Sequence, residues 1–267
     1  MNMDLKVLLE PVRQIAIEAG ERIMEIYETA FTVESKDDNS PLTAADLTSH
    51  QTIVAALQRL TPDIPALSEE SATIPFAQRR GWERFWLVDP LDGTKEFVKR
   101  NGEFTVNIAL VEDHRPVLGV VSVPAQGVCY LAARNLGAFR QEGEGAPQPI
   151  RVRVRSNSPV QVVGSRSHPG PDLAAFVEAL GAHELISIGS SLKLCLVAEG
   201  SADIYPRLGP TCEWDTAAAQ CVAECAGGRV VDTRGQPLTC NTGESLLNPH
   251  FLVIGPSDRD WLGYLPH

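Results

Sequence analysis

The chain of 267 residues is long enough for one large domain or two packed ones, with a substantial buried core. Hydrophobic residues make up 43% and charged residues 21%, an ordinary globular mix, and no apolar run approaches the ~20 residues that cross a bilayer. The net charge of −11 argues against a nucleic-acid polymer as partner, because phosphate contacts need clustered Lys and Arg. The opening stretch MNMDLKVLLEPVRQ is amphipathic and mixed in charge, unlike a signal peptide. A cytoplasmic location is therefore expected, with contact at the inner membrane surface and the oligomeric state left open.

In chain order, Val12, Ile15, Ala16, Ala19, Ile23, Ile26 and Tyr27 predict a helix over 11–28, with Pro11 in its first turn or at a kink. The polar stretch SKDDNSPLTAAD carries a turn signal at Asn39-Ser40-Pro41. A second helix follows, with Leu47, Ile53, Val54, Leu57 and Leu60 as its apolar stripe. IPALSEE reads as a short strand ending in Glu69 and Glu70, and RFWLVD as a central strand. Residues 104–140 hold four β-rich runs separated by turn-like segments, an antiparallel meander. RVRVR at 151–155 alternates, which predicts a strand with Val152 and Val154 inward and three arginines in water. Beyond 156, strands and helices alternate: VQVVGS, helix 172–180, LISI, helix 190–199, ADIYP, helix 215–226, GRVVD and HFLVIG. The expected organisation is an α+β half over 1–155 followed by an α/β half over 156–267.

None of the six cysteines forms a CxxC pair, and a chain of this size needs no disulfide staples, so reduced and mostly buried thiols are expected. Cys221 and Cys225 lie four apart on a predicted helix and can face one way, which leaves a redox or metal pair as the alternative.

The stretch WLVDPLDGTKEF, 86–97, crowds two carboxylates, Asp89 and Asp92, at the end of a buried strand. Such a pair costs electrostatic energy unless a cation sits between its members. Pro90 biases Asp89 toward an extended backbone, and Gly93 lets the backbone approach a ligand closely. Thr94 is expected to cap a short helix whose free N–H groups face the turn. Glu69, Glu70, Asp46 and Asp215 also sit at the ends of elements, where each alone reads equally as a cap or a solvated acid. A set rich in carboxylates and without nearby His suits Mg2+ and a phosphate rather than zinc.

The strings LSEE, WLVDPLDGTKEF and WDTAAA together resemble the inositol monophosphatase superfamily of Mg2+-dependent, lithium-sensitive phosphatases. The longer strings DNSPLTAAD, DPLDGTKEFVKRNGEFTVNIAL, SIGSSLKLCLVAEG and YPRLGPTCEWDTAA resemble its bacterial 3′(2′),5′-bisphosphate nucleotidase branch, over nearly the whole chain. The resemblance implies a layered αβαβα fold and hydrolysis of adenosine 3′,5′-bisphosphate to AMP and phosphate, a step linked to sulfate assimilation. It implies Glu69, Asp89 and the Leu91 carbonyl as ligands of one Mg2+, and Asp89, Asp92 and Asp215 as ligands of a second. Glu70 would touch a weakly bound third metal or support the first two. Gly93 and Thr94 would offer N–H groups to the phosphate, and Asp46 would pair with Thr94. Glu69 and Thr94 would hold the attacking water. Ser191, Lys193, Arg207 and His168 would contact the remaining phosphate and the adenosine, although Lys193 read alone is a solvated helix lysine. An inositol or fructose phosphatase is the nearest alternative, and a non-catalytic nucleotide-binding regulator a further one.

Overall fold

The computed structural model describes residues 4–29, 33–35, 41–71, 73–156, 158–167, 170–257 and 259–266. Helix α1 (Leu5–Tyr27) starts at Asp4, whose side chain accepts from the Lys6 N–H, and it runs straight through Pro11. Its buried stripe begins with Leu8, a turn earlier than the sequence pattern suggested, and that packing outweighs the backbone bond lost at proline. Strands β1 (Val33–Ser35) and β2 (Pro41–Thr43) pair antiparallel, and α2 (Ala44–Leu60) follows. In α2 Asp46 is buried and Leu47 exposed, the reverse of the apolar stripe expected there.

The first large sheet has seven strands in the order β3 (Ala66–Ser68), β4 (Arg84–Asp92), β5 (Thr105–Glu112), β6 (Arg115–Val123), β7 (Val128–Ala133), β8 (Gly137–Glu142) and β9 (Gln148–Pro149). Only β3 and β4 are parallel; the rest form the expected meander, extended by the two residues of β9. Two short helices, α3 (Phe76–Arg79) and α4 (Thr94–Val98), flank β4. The second sheet, in the order β11-β10-β12-β14-β13, is built from β10 (Val160–Ser165), β11 (His183–Ile188), β12 (Ile204–Arg207), β13 (Arg229–Asp232) and β14 (Phe251–Ile254). Helices α5 (Pro171–Leu180), α6 (Leu192–Ala198) and α7 (Glu213–Cys225) complete the set.

Alternation within β4 sets the layers. Trp86 and Val88 point to a core shared with α1 and α2, while Phe85 and Leu87 point to a second core shared with α6 and α7. That second core continues to β12, β13 and β14, through Tyr205, Val230, Phe251 and Val253. Phe176 and Leu180 of α5 close the outer face of the second sheet with Val160, Val162 and Trp261. The result is the layered αβαβα sandwich. Gly119 of β6 allows the central contact: a Cβ there would lie 2.2 Å from the Ala218 carbonyl oxygen of α7.

The RVRVR segment is not a strand. It crosses irregularly between the sheets, with Val152 buried and Val154 69% exposed. Arg153 turns back instead, donating to the carbonyls of Gly200 and Ser201 and to Asp203 Oδ2 at 3.1 Å. A guanidinium supplied with three oxygens outweighs the weak preference of an alternating pattern that has no partner strand.

Candidate active site

Asp89 and Asp92 are three residues apart, and in a regular strand they would face opposite sides of the sheet. The pairing of β4 with β5 prevents this. Asp89 opposes Asn107 and Asp92 opposes Thr105, so three steps along β4 match two along β5. That extra residue is a β-bulge, and it returns both carboxylates to one face. Pro90 suits the bulge because it has no N–H to contribute to the ladder. Its carbonyl accepts from Ser49 Oγ at 2.7 Å, which anchors the irregular segment to α2.

Strands β3 and β4 run parallel, and β3 ends with Ser68 opposite Val88, so Glu69 arrives beside Asp89. Gly93 has φ of 90°, and a Cβ there would come within 3.1 Å of the Glu103 carbonyl oxygen. Glycine is required on both counts. Gly93 rather than Thr94 is the N-cap of α4, and Thr94 is its first helical residue. Asp215 lies in the first turn of α7 rather than at its start. Its Oδ2 accepts from the Cys212 N–H at 2.9 Å, which fixes the side chain with one oxygen engaged. Asp89 is held similarly, with Oδ1 accepting from the Leu91 N–H at 3.0 Å.

Glu69, Asp89, Leu91, Asp92, Gly93, Thr94 and Asp215 all line one cavity of about 800 Å³. Burial raises the Asp89 carboxyl well above the usual range, helped by the charges of Glu69, Asp92, Asp215 and Asp46. Asp215 is raised by burial and then by Asp92. Asp92 is also raised by burial, but Lys193 and the Ser191 N–H pull it back. Among the described residues, burial and mutual repulsion of these acids outweigh the counter-charge that reaches them. Among the described residues no three His, Cys, Asp or Glu side chains close into a ready metal cage. The carboxylates instead share a cavity wall, and a hard cation that keeps waters and takes substrate oxygens fits such a set.

The same cavity has a cationic side. Lys193 is not a solvated helix lysine: it is 7% exposed, Nζ donates to the Ser190 carbonyl at 2.5 Å, and it sits 5.8 Å from the centroid of the Tyr205 ring. Burial pulls its ammonium down to about 8, with Asp92 acting in the opposite direction. Ser190 turns the chain with φ of 48°, and Ser191 fastens α6 to the first sheet. Its hydroxyl donates to Asn107 Oδ1 at 2.7 Å and lies 2.9 Å from Thr105 Oγ1. Arg207 ends β12 on the cavity wall and donates to the Pro210 carbonyl.

Two residues named from the sequence stand outside the cavity lining. Asp46 lies behind Asp89, where its charge is felt, and is not part of the lining. Glu70 is also outside the lining, with its charge bearing on His50. His168 lies outside the described residues. Sequence reading missed Tyr205, although it sits two positions before Arg207, because a buried strand tyrosine carries no distinct pattern. It also missed the clamp that closes the cavity rim. Glu103 accepts from Arg166 Nε and Nη2, both at 2.7 Å, and from the Gly189 N–H at 2.9 Å, while Ser167 donates to buried Glu96. Their signal is weak because the partners lie more than sixty residues apart in sequence.

The sequence profile of the inositol monophosphatase family matches residues 4–257. The chain belongs to the inositol monophosphatase family. This is a family of metal-dependent phosphatases. The curated 3′(2′),5′-bisphosphate nucleotidase CysQ of Escherichia coli K12 is 51% identical over 248 residues, covering 92% of this chain and 99% of that protein. The crystal structure of CysQ from Bacteroides thetaiotaomicron superposes with a TM-score of 0.82 at 44% identity, covering 92% of this chain and 96% of that one. An inositol monophosphatase structure from Anabaena gives 0.78 at 26% identity, covering 99% and 98%. The layered fold is thus common to family members of different substrate preference.

The raised carboxylates carry a pH prediction. A carboxyl group whose folded-state pKa lies above its unfolded value favours the folded state while protonated. That contribution is lost as pH rises from the ordinary carboxylate range through the raised values. A bound cation keeps the same groups ionised and relieves their repulsion. The Tm gain on adding Mg2+ to chelated protein is therefore expected to grow from about pH 5 to about pH 8. A gain that stays constant across that range, measured by differential scanning fluorimetry, would contradict cation binding at this cluster.

Proposed function

We propose that this chain is a Mg2+-dependent 3′(2′),5′-bisphosphate nucleotidase that hydrolyses adenosine 3′,5′-bisphosphate to AMP and phosphate, in the cytoplasm and in connection with sulfate assimilation. The observation that carries the reading is one cavity with two chemically distinct walls. Carboxylates from the turn after β3, from β4 and from α7, with Asp89 fully buried among them, line the same cavity as the buried ammonium of Lys193 over Tyr205. A monophosphate needs only the first wall. A bisphosphate gives the second wall a partner as well, because its uncleaved phosphate requires a cation outside the carboxylate set.

In this reading Glu69, Asp89, Asp92, Asp215 and the Leu91 carbonyl hold two Mg2+ ions, through the oxygens not already engaged by the Leu91 and Cys212 N–H groups. Bound there, such ions would make a water nucleophilic near neutral pH and would offset charge on the leaving oxygen. Glu69 and Thr94 orient that water in line with the scissile bond. Gly93 and Thr94 present backbone N–H groups to the phosphate oxygens, and the left-handed turn at Gly93 aims them. Asp46, buried on α2, pairs with Thr94 and helps to orient the water. Lys193 and Arg207 bind the uncleaved phosphate, and the turn at Ser190 and Ser191 fixes the start of α6 that carries Lys193. No side-chain nucleophile is required. Six free cysteines suit a reducing compartment, and among the described residues no helix is long and apolar enough to cross a membrane.

Phosphate release should be measured from adenosine 3′,5′-bisphosphate, inositol 1-phosphate and fructose 1,6-bisphosphate, each with Mg2+, with Ca2+ and after chelation. The nucleoside bisphosphate is expected to be turned over at least ~10-fold faster than the sugar phosphates, with Mg2+ activating. Ca2+, larger and tolerant of irregular geometry, is expected to compete without supporting turnover. Equal rates on inositol 1-phosphate would make the chain a sugar phosphatase. Full activity after exhaustive chelation would refute the metal assignment altogether.

A further inference from the structure

Helix α7 carries a second group of potential ligands, remote from the cavity. Cys221 and Cys225 lie one turn apart with their Sγ atoms separated by 3.9 Å. Cys221 is buried against the seven-stranded sheet, its Sγ 3.9 Å from the Ala132 carbonyl oxygen, whereas Cys225 is partly exposed. The close seat on the sheet depends on Gly119, where a Cβ would stand 2.8 Å from Cys221 Cβ. Neither thiol lines the cavity, and the reaction uses neither.

Two thiols at this separation can close into a disulfide or share a cation, and geometry distinguishes the two. A disulfide needs Cβ atoms ~3.5–4.5 Å apart and sulfurs at ~2.05 Å. Residues four apart on a helix hold their Cβ atoms ~5–6 Å apart, so closure would distort α7 where it is packed against β6 and β7. A soft divalent ion with metal–sulfur bonds of ~2.3 Å and a tetrahedral angle spans ~3.8 Å between sulfurs, which is nearly the separation present. Ionisation is also favoured on the accessible side. The hydrogen bond between the two thiols holds Cys225 below its usual value against the effects of burial and Glu224, while the same bond and burial raise Cys221 well above its own, so the cation must displace the proton of the buried thiol.

We propose that Cys221 and Cys225 form a two-thiolate site for a soft divalent cation of the zinc or cadmium class, reached from the Cys225 side, with water completing the shell. Binding exchanges two S–H protons for two metal–sulfur bonds and releases both protons to solvent. No electron is transferred and no oxidant is needed. The site is independent of the phosphatase reading.

The test is a Cd2+ titration of the reduced 267-residue chain, with excess Mg2+ added to compete for the acidic cavity. It is read by the ultraviolet thiolate-to-cadmium charge-transfer band and by proton release. The expected result is saturation near one equivalent with two protons released, unchanged in Cys212→Ser, whose thiol lies beside the acids. Cys225→Ser is expected to reduce the band at least ~2-fold and to release one proton or none, and Cys221→Ser the same. If Cys221→Ser fails to fold, the partly exposed Cys225→Ser carries the test alone. A band undiminished in Cys225→Ser, or one that disappears with Cys212→Ser, would overturn the proposal. So would a disulfide, seen as a mass loss of two hydrogens, forming under mild peroxide without unfolding the helix.

Discussion

Replacing Asp89 by asparagine is expected to abolish turnover while leaving the fold intact. Asp89 is the most centrally placed of the acids: its carboxyl feels Glu69, Asp92, Asp215 and Asp46 together. If it serves both cations, losing its charge weakens both sites at once. Removal of a single oriented donor from a charge-stabilising site already costs ~10²–10³ in kcat, so loss of a shared anionic ligand should cost at least that. The substitution is nearly isosteric, and the new side chain keeps an oxygen for the Leu91 N–H that Oδ1 now accepts. The metal-free protein should therefore fold, with a Tm equal to or above that of the parent, because mutual repulsion among the acids falls. Activity at saturating Mg2+ and Tm under chelation should be measured on the same preparation. More than a few percent of parental rate would exclude the shared role. Loss of activity together with a collapsed Tm would assign Asp89 to the fold.

Much of this arrangement is legible in sequence, and the parts that are not have physical causes in common. The strand RFWLVD, the meander and the alternation of strands and helices after 156 were readable because each has its own hydrophobic period. The two aspartates were readable as a pair, since crowded carboxylates after an apolar run are costly. What brings them to one face is not readable: the bulge is a relation between β4 and β5, visible only as a shift in pairing. RVRVR failed for a similar reason. Its alternation is real, but Arg153 found carbonyls and a carboxylate in a distant turn, and the segment had no strand to pair with. The inverted burial of Asp46 and Leu47 follows the same logic. Leu47 fits the helical period, yet the site turns α2 so that the carboxylate lies inside. Local period finds elements; the polar contacts that assemble a site run between elements.

Lys193 is the residue on which substrate identity turns, and its position sharpens the expected result. An ammonium buried over Tyr205 and pulled down to about 8 is held at a desolvation cost. A phosphate dianion placed beside it would offset that cost and restore its charge. If the phosphate it meets is the uncleaved one, Lys193 binds ground state and transition state alike, and its loss mainly raises KM. A hydrogen bond to a charged group is worth ~1.5–3 kcal/mol, so Lys193→Ala should lower kcat/KM for adenosine 3′,5′-bisphosphate by roughly ten- to a hundred-fold. Hydrolysis of a monophosphate, slow in both proteins, should barely change. Lys193 also lowers the Asp92 carboxyl pKa, so its charge reaches the acidic wall. Its removal is expected to tighten Mg2+ binding slightly, and both proteins must be compared at saturating Mg2+ and one ionic strength. Equal losses on the two substrates would place Lys193 on the cleaved phosphate or in the fold. No loss on either would leave the cationic wall without a function and favour a monophosphate as the natural substrate.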